Sequence, residues 1–110
     1  MLLNWLLDHR VLIPEPAEVR NYLTRYFELT SIVRSTCKLA LDRFGLQSQL
    51  SLEIYGDPET EDEYLTLYIR QTRYSEDILN AIEALRSAYE VDLADSSGWF
   101  LITTDFRPPS

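Results

Sequence analysis

The sequence predicts a small α+β domain: N-terminal helices, an antiparallel β-hairpin, one further helix and a third strand, with helices covering one face of a small sheet. Three observations predict it. Apolar residues recur at helical spacing from Ala17 to Phe44 and again from Ile78 to Tyr89. Between these stretches, "QLSLEIY" and "YLTLYIR" alternate with a period of two, the mark of half-buried strands. A last apolar run, Trp99 to Thr104, follows the polar stretch "ADSSG".

Each element has its own local reason. In "MLLNWLL", Leu2, Leu3, Leu6 and Leu7 fall on one broad side of a two-turn helix, with Trp5 near its middle, so residues 1–13 read as an arm or a short helix. Pro14 and Pro16 interrupt it, because proline disfavours α geometry in the residue before it; Pro16 itself suits a first helical position. Val19, Tyr22, Leu23, Tyr26 and Phe27 then follow helical spacing. The stripe continues through Leu29, Ile32, Val33, Cys37, Leu39, Ala40 and Phe44. A break near "ELTS", with Thr30 or Ser31 as N-cap, divides this stretch into two helices or bends a single one, and Gly45 closes it.

In the two alternating segments, Leu50, Leu52 and Ile54 share a face, as do Leu65, Leu67 and Ile69. So short a connection implies antiparallel pairing. The aliphatic faces then lie together over the helices, and the reverse face carries Glu53, Tyr55, Tyr64, Thr66, Tyr68 and Arg70. Ser75 caps the next helix, whose first turn holds Glu76 and Asp77 and whose apolar stripe is Ile78, Leu79, Ile82, Leu85 and Tyr89. The last strand follows, and residues 105–110 form a tail. The 110 residues constitute a single domain.

Composition limits what such a domain does. A net charge of −8 argues against a direct binder of nucleic-acid backbones, which carries a clustered basic surface, and favours a basic protein partner. The apolar N-terminal segment is too short to span a bilayer and lacks a basic flank, so cytoplasm is the expected location. Cys37 is the single cysteine; lying on the helical core stripe, it reads as an inert buried thiol and fits a reducing compartment. His9 is the single histidine, and no motif ties it to a nucleophile. The three glycines are all turn-like, so no phosphate loop exists and no cofactor is expected.

Two places invite attention. The connector "DPETEDE" carries Asp57, Glu59, Glu61, Asp62 and Glu63, an acidic tip. It fails as a calcium loop, because Asp62 stands where the sharp-turn glycine belongs and Tyr68 where the bidentate glutamate belongs; no metal is expected. An ordinary charged turn explains it, and a basic patch on a partner would turn its self-repulsion into attraction. The other place is the reverse face of the hairpin: Glu53, Tyr55, Tyr64, Tyr68 and Arg70 combine residue types enriched in binding hot spots, although cross-strand aromatic pairs also stabilise a hairpin by themselves. If Trp99, Leu101 and Thr103 join that face, the resulting apolar patch calls for a covering helix or a second chain.

Leu50–Glu53 (Leu-Ser-Leu-Glu), Asp57–Glu59 (Asp-Pro-Glu), Glu63–Tyr68 (Glu-Tyr-Leu-Thr-Leu-Tyr) and the closing Gly98–Pro109 stretch resemble segments of a family of small, uncharacterised bacterial α+β proteins. The resemblance spans most of residues 50–109 and little before them. It implies a self-contained bacterial domain and brings no activity or site residues with it.

The expectation is therefore an acidic accessory or protein-interaction module without catalytic activity, such as the neutraliser in a toxin system. The alternative is a small enzyme or ligand-binding domain that uses the polar sheet face through Glu53, Tyr68, Arg70 and Asp105. Homodimerisation is compatible with both.

Overall fold

The computed structural model describes residues 2–45, 48–56, 59, 62–94, 96 and 98–109. The described elements run α1 (Leu2–Asp8), α2 (Pro16–Arg25), α3 (Leu29–Phe44), β1 (Ser48–Gly56), β2 (Glu63–Gln71), α4 (Ile78–Ala94) and β3 (Phe100–Thr103). The fold is α+β, with a sheet in the order β1-β2-β3. β1 and β2 pair antiparallel from Ser48↔Gln71 to Gly56↔Glu63, as so short a connection requires. β3 runs parallel to β2, from Leu65↔Phe100 to Tyr68↔Thr103. Its direction follows from α4, which returns the chain to the opposite end of the sheet, so β2-α4-β3 is a crossover unit.

The aliphatic faces of the hairpin meet the helices. Leu52, Leu65, Leu67 and Ile69 are fully buried with Phe100 and Ile102 of β3. All four helices contribute to this one core, through residues such as Leu6, Val19, Val33 and Ile82. Burying each such side chain contributes roughly 1.5–3 kcal/mol, so the inner face of the sheet fixes the strand register.

α1 is part of that core. Leu2, Leu3 and Leu6 are buried, whereas Leu7 points to solvent. His9 ends the helix: its Nδ1 hydrogen-bonds the Trp5 carbonyl at 2.8 Å and its ring stacks on the Trp5 indole. Beyond it, Leu12 forms an isolated parallel bridge to Ser51, so the chain entering α2 lies along the outer edge of β1. The interruption between α2 and α3 falls at residues 26–28, earlier than expected. Glu28, not Thr30 or Ser31, occupies the N-cap of α3 and makes no side-chain capping bond. Phe27 lies in this turn and is exposed, and Leu39 also faces solvent.

Gly45 takes φ +60° at the end of α3, a positive-φ geometry that glycine adopts without the penalty a Cβ would bring. In α4, Ala81 is buried where the stripe had included Leu79, which is exposed. Ser75 precedes the helix, its Oγ accepting the Asp77 N–H and contacting the Asp77 carboxylate. Among the described residues, no helix is long and apolar enough to cross a membrane.

The outer edge of β3 is closed by side chains of α4. The Tyr89 hydroxyl donates to the Phe100 carbonyl and accepts from the Ile102 N–H, while Arg86 reaches the Ile102 carbonyl. An edge strand whose polar groups are occupied in this way offers little to a further strand.

Candidate functional site

The side of the sheet turned away from the helices carries the predicted residues. The register places Ser51 beside Tyr68, Glu53 beside Thr66 and Tyr55 beside Tyr64, and then Thr66 beside Leu101 and Tyr68 beside Thr103. Trp99, Leu101 and Thr103 therefore join this face. Ser51 and Thr66, small and central, are fully buried, although the helices pack on the opposite side. Over Ser51 lies the Glu53–Arg70 pair.

Arg70 organises one half of the face. Its Nη2 lies 2.8 Å from Asp105 Oδ2 and its Nε 3.1 Å from Oδ1, a two-pronged pairing of guanidinium and carboxylate. Its Nη1 lies 3.2 Å from Glu53 Oε2. Glu53 stands opposite Thr66 and Arg70 opposite Gln49, so this second pair crosses the sheet diagonally over Ser51 and Tyr68. Ser51 Oγ donates to Glu53 Oε2 at 2.7 Å, and the guanidinium sits 4.9 Å from the Tyr68 ring centroid. The Arg70 hydrogen bonds hold the Asp105 carboxyl below the usual carboxylate range. Burial pushes the Tyr68 phenol up, helped by the charges of Glu53 and Asp105.

Asp105 also anchors what the sequence left as a tail. Oδ1 accepts the Arg107 N–H, and Tyr74 binds the same segment by donating to the Arg107 carbonyl and packing its ring at a tilt against Phe106.

The other half of the face is aromatic. Tyr55 and Tyr64 stack at 6.3 Å between centroids, and Trp99 meets Tyr64 edge-on at 6.2 Å. Tyr55 is 48% and Trp99 53% exposed, high for rings in a continuous row. No protein-family model, curated protein or solved structure matches the chain.

Of the acidic connector, Glu59, Asp62 and Glu63 are exposed at the end of the hairpin, and Asp57 and Glu61 lie outside the described residues. Among the described residues, no three metal-ligating side chains come together as a metal centre. Cys37 is buried, and burial raises its thiol pKa to about 12.

The geometry thus brings Glu53, Tyr68, Arg70 and Asp105 into one cluster and gathers Tyr55, Tyr64 and Trp99 into a second. Trp99 escaped firm placement because its face depends on the direction of β3. The chemistry open to the first cluster is narrow. Both carboxylates already hold the guanidinium, so an anionic ligand would have to displace them to reach Arg70.

Proposed function

We propose that the chain is a non-catalytic interaction module whose open sheet face docks a basic protein. The observation that carries this reading is the aromatic row Tyr55–Tyr64–Trp99, exposed at Tyr55 and Trp99, beside the Arg70–Glu53–Asp105 network on the side of the sheet opposite the core of the described helices. Aromatic rings supply a large contact area at low entropic cost, and the ion network gives them a rigid neighbour. The net charge supplies direction. A second copy would bring −8 against −8, whereas a basic partner would be attracted and steered to the surface.

A bacterial, cytoplasmic setting, in keeping with the resemblance of most of residues 50–109 to small bacterial proteins, belongs to this reading, and neutralising a basic toxin is one role of this class. The enzymatic alternative is less favoured, because the polar residues it needs are committed to one another.

The tagged chain and its Tyr55→Ser/Trp99→Ser double variant, used as baits in one bacterial extract, test the proposal. The wild type should retain a basic protein in stoichiometric amount and release it as salt rises, and the double variant should not retain it. Equal retention by both baits would remove the interaction from this face.

A further inference from the structure

At the hairpin end of the sheet, a hollow of about 460 Å³ opens between α2 and the starts of β2 and β3. Tyr22, Tyr26, Tyr64 and Trp99 supply aromatic walls. The Tyr22 and Tyr26 rings stand 4.7 Å apart at 51°, and Trp99 meets Tyr64 edge-on, so two aromatic pairs border the hollow. Tyr22 is held firmly: its hydroxyl accepts the Trp99 N–H and lies within donating distance of the Glu63 and Trp99 carbonyls. Asp62 and Glu63 stand at the hollow with a single basic side chain, Arg25. The lining therefore carries one more negative than positive charge.

Arg25 reveals what the walls accept. Its guanidinium sits over the Tyr26 ring, 5.8 Å from the centroid, and both residues line the hollow. We propose that this hollow receives an arginine or lysine side chain from a basic segment of the docking partner, which displaces Arg25 from the Tyr26 face. The inference rests on the interaction reading above and gives it an anchor. Aromatic faces beside carboxylates suit a cation, and the neighbouring Tyr55 lets the same segment continue onto the open face.

The probe is hexa-arginine, with hexa-citrulline as its uncharged counterpart of the same shape. The indole N–H signals of Trp99 and Trp5 are followed by NMR; Trp5 lies apart in α1 and serves as an internal control. Hexa-arginine should shift the Trp99 signal saturably and leave Trp5 unmoved, and hexa-citrulline should shift neither. The Asp62→Asn/Glu63→Gln variant should weaken binding roughly two- to fivefold. Arg25→Ala should strengthen it by a similar factor. Arg20→Ala removes the same charge from the same helix, but Arg20 does not line this hollow, so it should change little.

Equal responses of Arg25→Ala and Arg20→Ala would reduce the effect to net charge and overturn the hollow. So would hexa-arginine binding with no Trp99 shift; a partner still captured through Tyr55 would then leave the interaction reading standing. Neither peptide binding nor partner capture would overturn both.

Discussion

Arg70 and Asp105, thirty-five residues apart in sequence, hold each other by two prongs on the open face of the sheet. Arg70 is only 11% exposed and Asp105 22%, so water screens the pair weakly. Replacing Arg70 with Met removes the cation that Glu53 and Asp105 share and leaves Asp105 the longer, 3.9 Å contact with the exposed Arg107. The expected loss is about 2 kcal/mol, below that of a deeply buried pair because both acids still touch water. Asp105→Asn should cost about 1 kcal/mol. Urea unfolding of the two variants tests that order.

The same pair sets an acid limit. The folded-state pKa of Asp105 lies below its ordinary value of 3.8, so its contribution is complete above that value and is lost as pH falls through the folded pKa. Wild-type stability should decline below about pH 4 more steeply than that of Asp105→Asn. Parallel acid titrations of unfolding free energy check this, and coincident slopes would remove Asp105 from the account.

The Tyr89 hydroxyl serves two backbone groups on the outer edge of β3 at once. Tyr89→Phe keeps the ring against Phe100 and leaves both groups without it. The expected cost is about 1–3 kcal/mol, with faster amide exchange at Ile102. Burial raises the Tyr89 phenol above its ordinary value of 10.0, so its contribution holds below that pH and is lost as pH rises toward the folded pKa. Alkaline unfolding above about pH 10 should be shallower in Tyr89→Phe.

Gly98 passes so close to the junction of α2 and α3 that a Cβ there would lie 2.6 Å from Tyr26 Cβ and Cγ and 2.8 Å from Leu29 Cδ1. Tyr26 Cβ is tied to the backbone between α2 and α3 and cannot swing aside, so Gly98→Ala must shift the chain leading into β3. Overpacking of this kind costs about 1–3 kcal/mol. Because Trp99 follows directly, the substitution should also move the Trp99 indole signal; thermal unfolding with one NMR spectrum tests both.

What the sequence made legible was whatever repeats locally. Alternation assigned Leu50, Leu52, Leu65, Leu67 and Ile69 to the inner face and Glu53, Tyr64, Tyr68 and Arg70 to the outer one, and the register agrees. Where helical spacing was broad it named one residue too many, as at Leu7, Phe27, Leu39 and Leu79, because periodicity gives a side of a helix and not the width that neighbours cover. The sequence grouped Arg70 with Asp105 on one polar face, but their ion pair was not legible. It exists because β3 runs parallel to β2, which carries Asp105 past Thr103 to the Arg70 end of the hairpin. Antiparallel pairing would send it toward the other end. The choice rests on the path of α4, a tertiary fact that no local pattern encodes.

Leu6 and Leu7 are neighbours on α1 with opposite environments: Leu6 is fully buried and Leu7 is 54% exposed. Leu6→Ala removes methyl groups from the core shared by the helices and the sheet and should cost about 2–5 kcal/mol, the range for a cavity in a packed interior. Leu7→Ala should stay within about 0.5 kcal/mol. Cys37 provides an independent readout, since its thiol has a pKa of about 12 and is closed to solvent in the folded state. Labelling by a thiol reagent should therefore follow opening of the core. It should be markedly faster in Leu6→Ala and unchanged in Leu7→Ala. Equal labelling of the two variants would mean that α1 behaves as a detachable arm whose loss the core tolerates.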